Sequence, residues 1–418
     1  MSLSTGLTGL QAAQTDLDTI GNNIANVGTD GFKSSTPNFS DVYGASLLGA
    51  SGGATPGQGV LTSSLSQLFT EGTITQTGNP LDVAINGNGF FQVQTSSGIA
   101  YSRDGALQLN ASGVLTNDTG AVVMGYSNPA SGGGSGNTAA TGPLGQIQIS
   151  QANLAPTATS SLSLDVNLPS TDAQIDTATV PFAINNPLSY NESTTTTIYD
   201  SLGTPSTLTT YFTQVSGSGS PPQWQTHWGL TSASGTLISS GSGATLTFNS
   251  SGALTSGSGT ISVASLPTGA APLSIAQTFT GTTLSNLPFA VTSLSNNGNG
   301  GGQFSGLQLA ANGNVIAQYS NGSTKVMGTI ALANFQNPQG LVAIPGNNWL
   351  ASTASGQAVI NPPGTAGLGS LEAGALEGSN VDLSTQLVNL IVAQQAYQAN
   401  VQGINVDQQD VQKLLQLQ

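Results

Sequence analysis

Apolar residues recur every seven positions at both ends of this chain, and the pattern gives way to period two between them. That placement limits the fold more than any other feature. Leu3, Leu10, Leu17 and Ile24 share one phase at the start, and Ala13, Ile20 and Val27 fall three residues after the last three of them. At the other end Leu383, Leu390, Tyr397, Ile404 and Val411 lie seven apart, and Leu387, Val401 and Leu415 extend the stripe. Residues three, four and seven apart share one face of an α-helix, so both ends are expected to form amphipathic helices. The second runs from about Val381 to Leu415, roughly 50 Å at ~1.5 Å per residue. Ser379 and Asp382, three apart, form a capping-box-like start for it. Gly6, Gly9 and Gly21 interrupt the first helix, each at about 1 kcal/mol relative to Ala, so that helix needs a partner surface.

The interior alternates as strands do: Phe91, Val93 and Thr95, then Leu107 and Leu109, then Val114. Asp104-Gly105 and Ser112-Gly113 are placed as hairpin turns, and Asn-Gly recurs at Asn86, Asn88, Asn297, Asn299, Asn312 and Asn321. The expected class is mainly β with paired terminal helices: two nested β-rich domains on a helical coiled-coil base. Gly/Ser-rich stretches at Ser131–Asn137, Ser216–Ser220, Ser239–Gly243 and Asn296–Gly302 are expected to be loops or linkers. The resulting domains are 1–30 with 380–418 (helical), 31–70 (linker), 71–145 with 296–371 (middle β), 146–295 (outer inserted β) and 372–379 (connector).

Composition removes several function classes. Only Lys33, Arg103, Lys325 and Lys413 are basic in 418 residues of net charge −14, too few to neutralise a run of phosphates or to dock on anionic lipid. No apolar run approaches the ~18 residues of a membrane span. The chain has no cysteine, which excludes disulfides and thiolate metal sites. Its first 32 residues carry no Lys or Arg, so no secretory signal with a basic start is expected.

Nothing in the sequence reads as catalytic. His227, the lone histidine, sits in a strand-like run with Trp224 and Trp228 on the opposite face. Asp407, Asp410 and Lys413 read as a solvated helix face with one charge pair. No phosphate-binding glycine pattern is complete, and no catalytic residue, metal or cofactor is expected.

Asn22-Asn-Ile-Ala-Asn-Val-Gly-Thr-Asp-Gly-Phe-Lys33 resembles the signature of the bacterial flagellar rod and hook axial protein family. The residues carrying it are Asn22, Asn23, Ala25, Asn26, Thr29, Gly31, Phe32 and Lys33. The segments Gly78–Phe91, Tyr199–Pro205, Leu332–Leu341 and Gly374–Leu383 are similar to the hook branch of that family, in the same order along the chain. The resemblance implies a structural subunit that polymerises into a short curved tube, a universal joint between flagellar rod and filament, with no enzymatic activity. It also implies a homopolymer that meets the distal rod protein, the hook cap, the hook-filament junction proteins and the flagellar export apparatus, and no nucleic acid or membrane insertion. The subunit would be extracellular, exported without a cleaved secretory signal, with its helices as the inner tube and its two β domains outside. The polymerisation residues are then Leu3, Leu10, Leu17, Ile20, Ile24, Val27, Leu383, Leu387, Leu390, Tyr397, Val401, Ile404, Val411 and Leu415. A distal rod-type protein or a secreted β-rich adhesin with oligomerising helices are the alternatives.

Overall fold

The computed structural model describes residues 3–42, 59–127, 142–215 and 223–416, except for the side chains of Leu3, Leu414 and Leu415. Ser131–Asn137, Ser216–Ser220 and the side chains of Leu3 and Leu415 therefore lie outside the described residues. The chain divides into two compact units: residues 1–151, 306–318 and 324–418 form one, and residues 152–305 with 319–323 form the other.

In the first unit, helices α1 (Leu3–Ala25) and α2 (Leu383–Gln416) pack together. They run antiparallel, with Gly6 facing Ile404, Gly9 facing Asn400, and Ile20 and Asn23 sharing a hollow with Gln386 and Asn389. Two of the three interrupting glycines, Gly6 and Gly9, have a packing reason, whereas Gly21 faces open space. A Cβ at Gly6 would lie 2.9 Å from Ile404 Cγ1, and one at Gly9 2.8 Å from Asn400 Oδ1, so the missing side chains admit the partner helix. The start of α2 differs from the expected capping box. Asp382 itself caps, its Oδ1 accepting from the Ser384 and Thr385 amides at 2.9 and 3.2 Å, and the helix begins at Leu383.

After α1 the chain forms β1 (Ser35–Asp41), antiparallel to β2 (Val60–Gln67). Next, β3 (Ile74–Gln76) pairs with Ala375–Glu377, and β4 (Val83–Asn86) pairs with Ser370–Ala373. The stretches expected as linker 31–70 and connector 372–379 are thus partly strand. They escape a period-two reading because Ser35–Asp41 and Val60–Gln67 are rich in Ser and Thr, and Ala375–Glu377 is only three residues long. A 13-stranded sheet completes the unit around a core that includes Val83, Ile85, Phe91, Val93, Leu115, Val123, Val315 and Ile330.

The second unit is a sandwich of two five-stranded sheets. Leu162, Leu164, Val166 and Leu168 alternate along the strand Ser161–Pro169, all buried. Leu162 joins one core cluster with Trp228 of the facing sheet, and Leu164, Val166 and Leu168 join a second with Trp224. The boundaries of this unit fall later than residues 146 and 295. Leu144–Gln146 pairs with Val122–Ser127, and Ile147 and Ile149 bury in the first unit's core. At the far end Ala290–Asn296 pairs with Ser161–Pro169, and Asn299 and Gly302 bridge to Thr157 and Leu154. The terminal helices also group with the middle β domain as one unit.

Two turn and loop assignments change. Ser239–Gly243 is interior to the strand Leu237–Phe248, where Gly241 makes room for an indole: its Cβ would stand 2.8 Å from Trp228 Cζ2. Asp104-Gly105 is not a hairpin turn, because the strands flanking it, Gly98–Ser102 and Leu107–Leu109, do not pair with each other. Gly105 instead receives the Val83 amide at its carbonyl, 2.9 Å away. Ser112-Gly113 does join paired strands, with Gly113 at φ +74°.

Candidate functional site at the joint between helices and β body

The segment leaving α1 turns on a set of amide side chains. Asn23 is buried and exchanges two hydrogen bonds with the backbone of Ser35, Nδ2 to O at 2.8 Å and N to Oδ1 at 2.9 Å, as a strand partner would. Asn26 Nδ2 donates to the Asn22 carbonyl, and Thr29 Oγ1 donates to Asn26 Oδ1. Gly31 has φ +68° and lies against the backbone of Arg103 and Asp104, where a Cβ would come within 2.7 Å; its amide donates to the Glu377 carbonyl at 2.7 Å. Only glycine meets both demands. The motif residues Asn22, Asn23, Asn26, Thr29 and Gly31 thus make the turn that delivers Lys33 into the body.

Lys33 and Glu377 are each only 1% exposed. Lys33 Nζ donates to Glu377 Oε1 at 2.5 Å and to the Thr70 carbonyl at 2.6 Å. Arg103 Nη1 reaches Glu377 Oε2 at 3.0 Å, its Nη2 donates to the Gly87 carbonyl at 2.8 Å, and its guanidinium lies over the Phe90 ring. The Gly72 amide gives Glu377 a further bond at 2.9 Å. Two of the four basic residues in the chain are therefore buried on one carboxylate. Burial pushes the Lys33 ammonium below its ordinary pKa, and Glu377 opposes that shift by charge and hydrogen bond. Asn380 completes the joint: its Oδ1 accepts the Ser34 amide at 2.7 Å, and its Nδ2 donates to the Leu68 carbonyl at 2.7 Å. The exit of α1, the body and the entry to α2 are fastened at one point. Sequence reasoning found Lys33 but not Arg103, Glu377 or Asn380. The available signal was the scarcity of basic residues in so polar a chain, which makes each one a candidate for a committed partner.

The stripe residues divide into two groups. Ile20 is buried, Leu10, Leu17 and Ile24 are half-buried on α1, and Leu390, Tyr397, Val401 and Ile404 are half-buried on α2. Leu383, Leu387 and Val411 are exposed, as is Val27 beyond the end of α1. The seam against α1 includes buried Ala393 and half-buried Asn400, which leaves an outer apolar row on α2 unpartnered among the described residues. Beside Leu383 and Leu387 it holds Val388 (60% exposed) and Ile391 (55%), with Val392 (59%) at its edge, on the rim of the hollow shared with Ile20 and Asn23. These three were not singled out from sequence, because a strict seven-residue count passes between them.

The two ends define the class by comparison. Residues 3–33 match the family described as flagella basal body rod protein, and residues 372–417 match the flagellar basal body rod FlgEFG protein C-terminal. Both terminal segments are thus those of the flagellar basal body rod class of proteins. Residues 84–177 match the flagellar hook protein FlgE/F/G D1 domain, and 167–299 the flagellar basal body protein FlaE D2 domain. The chain is 37% identical over 423 residues to the flagellar hook protein FlgE of Salmonella typhimurium, covering all of both. It is 30% identical over 451 residues to that of Borreliella burgdorferi, covering all of this chain and 99% of the other. It thus belongs to the flagellar hook protein family, a family of structural proteins. The crystal structure of Helicobacter pylori flagellar hook protein FlgE2 shares the fold, with TM-score 0.56 and 14% identity over 72% of this chain and all of that one.

Proposed function

We propose that copies of this chain polymerise into the curved hook tube joining rod and filament, and that the helix pair is the assembly module. The outer row of α2 carries the reading. Positions 383, 387, 388, 391 and 392 follow the spacing of a helix face that buries against a partner. The opposite face of α2 is already covered by α1. Full burial of each such side chain contributes about 1.5–3 kcal/mol, so five of them per subunit supply a substantial part of a polymer contact. In this reading Leu10, Leu17, Ile20, Ile24, Leu390, Tyr397, Val401 and Ile404 shape the pair inside each subunit. Val27, Leu383, Leu387 and Val411, with the outer row, meet neighbouring copies.

The joint around Glu377 gives the helices a fixed take-off from the β body, which a torque-transmitting tube requires. The distal rod protein, hook cap and hook-filament junction proteins would meet the two ends of the polymer. Export through the flagellar apparatus without a cleaved signal accords with a glycine-bearing first helix that carries no Lys or Arg. Leu387→Ser with Ile391→Ser tests the reading in the full chain. The double variant should leave the melt of the free subunit unchanged and form no tubes, by electron microscopy, at concentrations where the unaltered protein does. Ordinary tubes from it would refute the assignment.

A further inference from the structure

Asp104 is buried beside the joint in a place its charge does not suit. Its Oδ1 accepts the Ala106 amide at 3.0 Å, and its own amide donates to Ser102 Oγ at 3.2 Å. Past that single donor the carboxyl faces acids. Asp118 lies within hydrogen-bonding reach, Asp30 stands close by, and Asp82 in turn faces Asp30. The adjacent cation, Arg103, is committed to Glu377 and to the carbonyls of Ile85 and Gly87. Two carboxyl groups in hydrogen-bonding reach hold each other only when they share a proton.

The pair stands where three segments meet. Asp118 rides on a hairpin turn closed by Asn117, whose Oδ1 accepts from the Ala121 amide and from Thr119 Oγ1, both at 2.8 Å. Asp104 follows Ser102, whose Oγ donates to the Asn347 carbonyl at 3.0 Å. Asn347, held at the unusual φ of 52°, donates through Nδ2 to the Asp30 carbonyl at 3.1 Å. Gly31, next to Asp30, presses on the Asp104 backbone. A single hydrogen-bonded chain therefore links the exit turn of α1 to the loop at 345–348, and the carboxyl pair extends it to the hairpin at 117–121.

We propose that Asp104 and Asp118 form a proton-operated latch that fastens the 117–121 hairpin to the loop supporting the exit turn of α1. With one shared proton the carboxyl pair is closed; without it, two like charges face each other and the three segments loosen. In support, burial raises the Asp104 pKa to about 7, and the hydrogen bond and charge of Asp118 add to the rise while the Ala106 amide opposes it. The folded state then holds a proton that the unfolded chain, with its ordinary Asp, has released. The stabilisation is complete below the ordinary carboxylate range and is lost as pH rises through about 7.

Hydrogen exchange of the free full-length subunit, read by mass spectrometry at about pH 5 and about pH 8 and corrected for intrinsic exchange, tests the latch. Protection of peptides containing Gly31, Asp104 and Ala121 should fall about tenfold or more at the higher pH. Peptides from Leu162–Leu168 should keep theirs. Asp104→Asn and Asp118→Asn each replace the shared proton by a permanent amide donor, so either should hold protection level across the range. Equal protection of the unaltered chain at both pH values would overturn the proposal. So would an equal loss in Leu162–Leu168, or a pH response that survives both substitutions.

Discussion

Replacing Glu377 by Gln keeps the shape of the side chain and removes the charge that balances Lys33 and Arg103. The amide retains one carbonyl oxygen, enough for the Gly72 amide or the Lys33 ammonium, and presents an NH2 group to a cation already full of donors. Both cations stay buried, since Lys33 is 1% and Arg103 3% exposed. Removing one member of a buried ion pair costs about 3–5 kcal/mol, chiefly from the uncompensated charge left behind. At roughly 2–4 °C per kcal/mol for a body of this size, the melting transition of the first unit should fall by about 6–20 °C. The second unit contains none of these residues. Calorimetry of the free subunit should therefore show one transition moving and one standing still. The exposed pair Lys413–Asp410, 3.8 Å apart, supplies the contrast, and Lys413→Ala should cost no more than about 1 kcal/mol. A first-unit transition within about 1 °C of the unaltered chain would show that Glu377 does not neutralise the buried cations.

Asn23→Ala removes both bonds to Ser35 and leaves a half-buried backbone pair without its partner, at about 1–2 kcal/mol, and should deprotect the Ser35 amide in hydrogen exchange. Gly6→Leu places a side chain where Ile404 packs and should lower the far-ultraviolet helical signal of the free subunit while the β-body melt stays put. The Asp382 carboxylate is held below its ordinary pKa by the Thr385 and Ser384 amides. The capping it gives α2 is present above the ordinary carboxylate range and lost as pH falls through the depressed value, so exchange at Ser384 and Thr385 should quicken on strong acidification.

The parts legible in the sequence are those with a period. The two helices announce themselves because burial on one face repeats along the chain, and Phe91, Val93 and Thr95 mark the strand Phe90–Thr95 by their alternation, although both faces of its first four residues are buried. Where a strand is paid in ladder bonds and small side chains, as in Ser35–Asp41 and Ser239–Gly243, no such record exists. A Gly/Ser run reads as a loop until the indole of Trp228 is seen above it. The joint was half legible. The motif from Asn22 to Lys33 marked one partner, whereas Arg103 and Glu377 lie 70 and 344 residues away from Lys33, the first just past the end of the strand Gly98–Ser102 and the second in the pairing of Ala375–Glu377 with Ile74–Gln76. The seven-residue count likewise placed Leu390 and Ile404 on one stripe with Leu383 and Val411. It had no means to show that α1 takes up the first two and leaves the others open.

The direct measurement is a side-chain-resolution electron-microscopy map of the assembled polymer. The account predicts that Leu383, Leu387, Val388, Ile391 and Val392 of each α2 are packed against a second copy, while Gly6 still meets Ile404 and Gly9 still meets Asn400 within the subunit. A polymer in which that row remains in solvent, with neighbouring copies joined only through their β units, would contradict it.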